Sequence, residues 1–224
     1  MDVDAPPLRG GAESTVAKRR RTPVAFVLHW FGILCLLAAT TIGGYIGWLL
    51  WGTGLTTQRE QAVLRTGFER VVDTKPASEA PKQGSAQIPL RGSAYAEIVI
   101  PRINIDMIVV QGTDEESLKK GPGHYPDTAN PWDATGAVGI AGHRTTYLHP
   151  FYNLNELQPG DPITLRTEYG TFQYSVTKVF IVPEIGSGIV LTQTPTPTLV
   201  LTTCNPRYSS SQRLIVTADR VSNT

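Results

Sequence analysis

The chain has 224 residues, with 20 lysines and arginines against 19 aspartates and glutamates and a formal net charge of +1. That length holds one or two domains. The charges are nearly balanced and the one dense basic run is Lys18–Arg21, so the electrostatic footprint of a nucleic-acid-binding protein is absent from the rest of the chain.

Residues 1–22 are rich in Pro and Gly and end in "KRRR", which reads as a disordered cytoplasmic tail. No charged residue then occurs between Arg21 and Arg59. This gap contains "VAFVLHWFGILCLLAATTIGGYIGWLLWG", long enough for the roughly 20 apolar residues that a spanning helix needs. Trp30 stands near its start, and Trp48 and Trp51 near its end. At ~1.5 Å per residue they lie roughly 27–32 Å apart, matching an aromatic belt at each face of a bilayer. A cleaved signal peptide has an apolar region of only ~7–15 residues and a small-residue cleavage site. Residues 23–55 therefore read as an uncleaved anchor, and "KRRR" places the N-terminus in the cytoplasm and the remainder outside.

Residues 56–92 read as a short helical stalk, "TTQREQAVLRTGFERVVDT", and a Pro-, Ser- and Gly-rich linker. Residues 93–224 remain for one folded domain with its own core. In "YAEIVIPRINIDMIVVQG" the alternation of Ile98 and Ile100, then of Ile103, Ile105, Met107 and Val109, is interrupted by Pro101. Two strands or one bent strand result. "TDEESLKKGPG" predicts a helix of one or two turns with Thr113 as N-cap and Glu116 three residues on. "GAVGIAGH" is a short apolar run entering a turn. "LNELQPGDPITLRTEYGTFQYSVTKVFIVP" predicts a hairpin with Phe172, Tyr174 and Val176 on one face. "TLVLTTC" and "RLIVTADRV" are two further strands. Six or more strands with one minor helix favour a closed barrel over a sandwich.

Cys35 lies in the apolar run and Cys204 beyond it, so the two cannot pair within one chain. Cys204 is then a free thiol in an oxidising compartment, either a small buried hydrophobe or a reactive group. The loop "NPRYSSSQ" separates the last two strands, and pairing them as a hairpin puts Cys204 and Arg213 at the loop base. A guanidinium beside the sulfur favours the thiolate and can donate to an oxyanion. Thiol chemistry also needs an acid or base. His143, at the end of "GIAGH", is the first candidate; His149 before Pro150 and His124 in "GPGHYPDT" are the others. No zinc spacing, phosphate loop, dinucleotide fingerprint or nucleophile elbow is present.

"LTTCNPRYSSSQRLIV" resembles the sortase signature T-L-x-T-C followed by an arginine about nine positions on, with Val200 standing where the first threonine is found. "GIAGHR" is similar to the sortase histidine segment and "GDPITLRT" to the strand after it. The resemblance spans about Ala96 to Val221. It implies a mainly β fold, an eight-stranded sortase-type barrel with short helices behind one transmembrane helix. It also implies Cys204 as nucleophile, His143 as acid/base and Arg213 as substrate or oxyanion partner, with Thr203 helping to shape the substrate site. "LTTCNPRYS" with "GPGHYPDTANPWD" most resembles the class E group of high-GC Gram-positive bacteria. That likeness implies a sorting motif of the L-A-x-T-G type, with Tyr125 of "GPGHYP" filling the space that a proline ring takes in L-P-x-T-G.

The implied partners are secreted proteins with a C-terminal sorting signal, a cell-wall amine and the lipid bilayer. No cofactor is expected. Some relatives use calcium, but Asp114, Glu115 and Glu116 read as helix N-terminal charges rather than a cation site. "ADRVSNT" carries no second span and the linker no acidic-Pro-aromatic lid, which favours wall anchoring over pilus building. Two rivals stay open on the residues alone: an extracellular cysteine enzyme acting on peptidoglycan, and a membrane-tethered binding module with an inert thiol.

Overall fold

The computed structural model describes residues 23–48, 52–74, 90–185, 188 and 191–221. The basic run at Lys18–Arg21, Trp51 and most of the expected linker lie outside the described residues. The chain divides into two units, residues 1–44 and 45–224. Helix α1 (Pro23–Gly47, 25 residues), most of which belongs to the first, is long and apolar enough to cross a membrane. It contains neither acidic residues in its first turn nor basic residues in its last, and none of its residues is buried by protein.

The second unit is a closed barrel in the strand order β1-β2-β3-β4-β7-β8-β6-β5. Its strands are β1 (Ala94–Ile100), β2 (Ile105–Gln111), β3 (Gly123–His124), β4 (Ala137–Ala141), β5 (Pro162–Thr167), β6 (Gly170–Pro183), β7 (Thr198–Asn205) and β8 (Gln212–Arg220). The pairs β2–β3 and β4–β7 are parallel; the rest are antiparallel. Pro101 resolves as the end of a strand. It opens a single 3-10 turn, Pro101–Ile103, and Asn104 takes a left-handed φ of 53°, so that Ile100 pairs with Ile105.

The inner core follows the period-2 pattern of the strands. Ile98, Ile100, Val109, Ile140, Ile163, Leu165, Leu199, Leu201 and Val216 are fully buried within it. Each such side chain contributes about 1.5–3 kcal/mol by leaving water. Phe172, Tyr174 and Val176 of β6 join the same core, as the hairpin alternation requires.

Helix α2 (Thr53–Thr74) occupies the stretch read as a stalk and lies against β1 and β2. Its buried residues are Thr57, Gln61 and Phe68, spaced along one helical face. Helix α3 (Glu115–Leu118) is capped by Asp114 rather than by the expected Thr113. The Asp114 carboxylate accepts from the Ser117 amide at 3.1 Å and from the Ser117 hydroxyl at 2.8 Å. Its pKa is lowered by those same hydrogen bonds.

Candidate active site

Strands β7 and β8 form the expected hairpin, and Cys204 is paired directly with Arg213 in its ladder. Both residues face outward. Val200 and Ile215 belong to a small outer cluster with Ala137, packed against Phe180, Val182 and Leu191. Cys204 keeps the phase of Val200 and Thr202, and Arg213 that of Ile215. Cys204 is a free, partly exposed thiol. Its neighbour Thr203 points the other way and is buried. Thr203 donates its hydroxyl to the Gly142 carbonyl at 2.7 Å.

That bond carries the histidine segment to the nucleophile strand. Beyond β4, whose Ala141 pairs with Thr202, the Gly142 amide still donates to Thr202 O at 3.1 Å. The chain then turns and delivers His143. Only glycine fits at position 142, because a Cβ there would lie 2.6 Å from the fully buried Phe151 ring. The Phe151 amide donates to His143 O at 3.1 Å and closes the loop. The His143 ring lies 5.0 Å from that of Tyr147, and its Nε2 is buried without a hydrogen-bond partner among the described residues. Burial holds the His143 pKa below the ordinary imidazole value, with the Glu115 carboxylate opposing the shift. The result is a half-buried imidazole whose Nε2 has no hydrogen-bond partner among the described residues.

The other two histidines separate clearly. His124, expected in a loop, lies in the two-residue strand β3 and is 1% exposed. It stacks on Tyr95 at 4.2 Å, and its nitrogens meet Gln111 Oε1 at 3.0 Å and Ala129 O at 3.1 Å. Desolvation lowers its pKa to about 4. Its ring is fully engaged in the core. His149 is exposed in the loop after β4 and stacks edge-on against Tyr152.

Arg213 is held as well as placed. Its guanidinium donates to Glu184 Oε1 at 2.6 Å, Ser210 O at 2.8 Å and Gln212 O at 3.1 Å. Arg144, next to His143 in the chain, is the second guanidinium here. Only 6% exposed, it donates to Cys204 O at 3.1 Å, Asn205 Oδ1 at 2.5 Å and Asn155 Oδ1 at 2.9 Å. Desolvation and then the nearby Arg207 lower its pKa, while Cys204 and Tyr152 act in the opposite sense. The signal for it was in plain sight, as the residue after His143 in "GHR".

Tyr125 lies over β4. A Cβ on Gly139 would meet Leu191, Tyr125 and Thr128 at 2.8–3.1 Å, so the glycine lets these side chains rest on the strand. The Tyr125 hydroxyl lies 3.0 Å from Thr202 Oγ1, two residues before Cys204 on the same outer face. That offset is about 6.5 Å along the strand. A separate cavity lined by Phe172, Pro197, Asp219 and Arg220 contains none of these residues. Among the described residues there is no group of three or more side chains able to hold a metal ion.

Residues 98–221 match the family model described as Sortase domain. Sortase D of Bacillus subtilis is 33% identical over 177 residues, covering 78% of this chain and 87% of that protein. Sortase SrtE1 of Streptomyces coelicolor is 32% identical over 139 residues, covering 56% of this chain and 40% of that protein. Among solved structures, a Clostridium perfringens sortase D5 transpeptidase superposes with a TM-score of 0.64 at 26% identity, over 73% of this chain and 99% of that one. Sortase E1 from Streptomyces coelicolor, solved with a tripeptide in the active site, gives 0.54 at 31% identity, over 61% of this chain and 92% of that one. The match over the barrel strands that bear Cys204 and Arg213 decides the assignment: the chain belongs to the sortase family and is a cysteine transpeptidase.

Proposed function

We propose that this protein is a membrane-anchored sortase that cleaves a C-terminal sorting motif of secreted proteins and joins them to a cell-wall amine. The Cys204 thiolate attacks the carbonyl carbon of the motif threonine. The C–N bond breaks, a thioester forms, and the departing amine takes a proton from the His143 imidazolium. The acceptor amine then attacks the thioester carbonyl, loses a proton to neutral His143, and the Cys204 thiolate leaves. Arg213 binds the substrate carbonyl or the oxyanion through a guanidinium fork, and preorganised donors of this kind are usually a large part of catalysis.

The observation that carries this reading is the direct pairing of Cys204 with Arg213 on the outer barrel face, beside a histidine segment tied to the same strand through Gly142. The buried, unpartnered Nε2 of His143 supports its role in moving the proton. Residues 1–22 form the cytoplasmic tail, 23–55 the anchor, 56–92 the juxtamembrane segment and 93–224 the extracellular catalytic domain. The support for that topology is the basic run ahead of the apolar helix.

The preferred motif is of the L-A-x-T-G type, as for class E, with Tyr125 on the substrate side of β4. The test is mass spectrometry of the purified protein incubated with a library of sorting peptides and amine acceptors. The expected product joins the peptide threonine to the amine, and Cys204→Ala abolishes it. A stem-peptide crosslink as the only product would replace this reading with a peptidoglycan-acting enzyme.

A further inference from the structure

The loop that carries His143 contains three successive non-glycine residues with left-handed backbone: Tyr147 at φ 52°, Leu148 at 62° and His149 at 38°. L-residues rarely take this conformation, and strained runs persist only where their surroundings over-determine them. Part of the restraint is local, since the His149 amide donates to Thr146 O at 2.8 Å. The rest comes from a distant part of the sequence. The Tyr147 amide donates to Thr53 Oγ1, at the first residue of α2, at 3.4 Å. Leu148 leans on the next residue, so that a Cβ on Gly54 would stand 3.4 Å from Leu148 Cδ2.

The rest of α2 is firmly fixed to the barrel. The Thr57 hydroxyl donates to Lys119 O at 2.7 Å. Gln61 Nε2 donates to Ile108 O at 2.9 Å and Lys120 O at 2.8 Å, while its Oε1 accepts from the Ile108 amide at 2.8 Å. Arg65 pairs with Glu97 and with Asp106. The helix therefore presents Thr53 and Gly54 from a rigid base to the strained turn.

We infer that α2 is a positioning element for the reaction: by holding Tyr147 and Leu148 in the left-handed turn, its first residues keep the Tyr147 ring against His143. This rests on the transpeptidase reading for its effect on turnover, but not for its effect on His143 itself. The lowered His143 pKa fits, because burial is its largest cause. The charged group whose field reaches His143 is Glu115 on α3. Glu60 of α2, with Glu116, Lys119 and Lys120, lines the cleft that Tyr147 shares with Thr53 and Thr56. Arg144 adjoins His143 in the chain. None of these groups is altered by the test below.

The test uses the full chain in detergent micelles with Gly54→Gln. Replacing glycine within a helix favours the helix, and the added Cβ stands at no less than van der Waals distance from Leu148 Cδ2, so any loss reports the longer glutamine side chain pressing on Leu148 and not a weakened α2. The readouts are kcat and KM for a sorting peptide, and titration of the His143 ring by NMR. Expected are a fall in kcat of about 10-fold with little change in KM, within the ~100-fold that misplacement by ~1 Å can cause. The His143 midpoint should also rise toward the ordinary imidazole value. Adding His149→Gly, which relaxes the turn, should recover most of the lost kcat.

Unchanged kcat and an unchanged His143 midpoint overturn the inference, leaving α2 as a strap only. A loss of kcat that His149→Gly does not recover overturns the strained turn as the link. A shifted His143 midpoint in a chain whose parent cleaves no sorting peptide supports the positioning role and removes the sorting-motif reading alone.

Discussion

Cys204 and Arg213 face each other across the β7–β8 ladder, yet the Arg213 guanidinium is engaged by Glu184 at 2.6 Å. A substrate that uses this fork must displace the carboxylate or share the guanidinium with it. The pair is partly exposed, with side chains 23% and 50% accessible, which puts it among ion pairs contributing about 0.2–1 kcal/mol. Glu184→Gln should therefore lower KM for a sorting peptide by up to about 5-fold and leave kcat nearly unchanged. Added salt should lower KM of the parent but not of the variant. Steady-state kinetics at two ionic strengths decide this. A raised KM in Glu184→Gln would mean that the carboxylate orients Arg213 productively. Arg213→Lys should be poor in either case, because an ammonium cannot reproduce the planar fork.

The three histidines outside α1 should separate by readout. His143→Ala should cost roughly 10²–10⁴-fold in kcat with folding preserved, the range for loss of a positioned acid or base. His149→Ala, at an exposed site, should change little. His124→Ala should reveal itself in thermal unfolding, since it removes a ring stacked on Tyr95 and bonded at both nitrogens.

His124 also gives a pH signature. Its folded pKa of about 4 lies below the ordinary 6.5, so the unfolded chain binds the extra proton between those values. Stability from this group is fully present above about pH 6.5 and is lost as pH falls toward 4. The loss is about 3 kcal/mol. The lowered pKa of His143 acts in the same direction. Denaturant melts of His124→Gln should show a shallower acid slope than the parent. An identical slope would remove His124 as its source.

What the sequence made legible depended on periodicity. Two apolar strands flanking "NPRYSSSQ" placed Cys204 opposite Arg213, and the break at Pro101 marked a real strand end. Where no period exists, the sequence carries no such signal. Strand β3 has two residues, too few to alternate, so His124 looked like a loop histidine. Helix α2 buries Thr57 and Gln61 beside one phenylalanine, and its docking runs through hydrogen bonds to Lys119, Ile108 and Lys120. A face of that kind shows no apolar stripe, and so it read as a stalk. Arg144 is buried against partners at positions 155, 204 and 205, which become its neighbours only once β4 lies beside β7.

Arg144 should behave as a positioning residue. Arg144→Met leaves Cys204 O and the Asn205 and Asn155 side-chain oxygens without this donor. Asn155 is exposed and Cys204 and Asn205 are partly exposed, so water can take over part of this bonding, and each lost bond costs about 0.5–1.5 kcal/mol. The melting temperature should fall, and kcat should fall with it because the Cys204 backbone is no longer fixed. Arg144→Lys keeps the charge but cannot span all three acceptors, so it should lie between parent and Arg144→Met on both measures. Full kcat in Arg144→Met at a temperature where it is folded would confine Arg144 to stability.

Motif choice turns on Tyr125. If Tyr125 occupies the space that a proline ring takes in L-P-x-T-G, the enzyme should favour L-A-x-T-G peptides. Discrimination over one such group should be roughly 10–200-fold in kcat/KM. The hydroxyl is held by Thr202 at 3.0 Å, and the ring rests on Gly139. The ring is thus fixed from both sides, and two modes of action become separable. If the ring itself excludes proline, Tyr125→Phe should keep most of the preference and Tyr125→Ala should remove it. If the hydroxyl bond sets the ring's pose, Tyr125→Phe and Thr202→Val should weaken the preference equally, and the double variant should go no further, because both remove one shared interaction. Measuring kcat/KM for both peptides across the four variants reads this directly. A parent enzyme that prefers the proline peptide, or a ratio unmoved by Tyr125→Ala, would remove Tyr125 from substrate selection and leave it as a side chain covering β4.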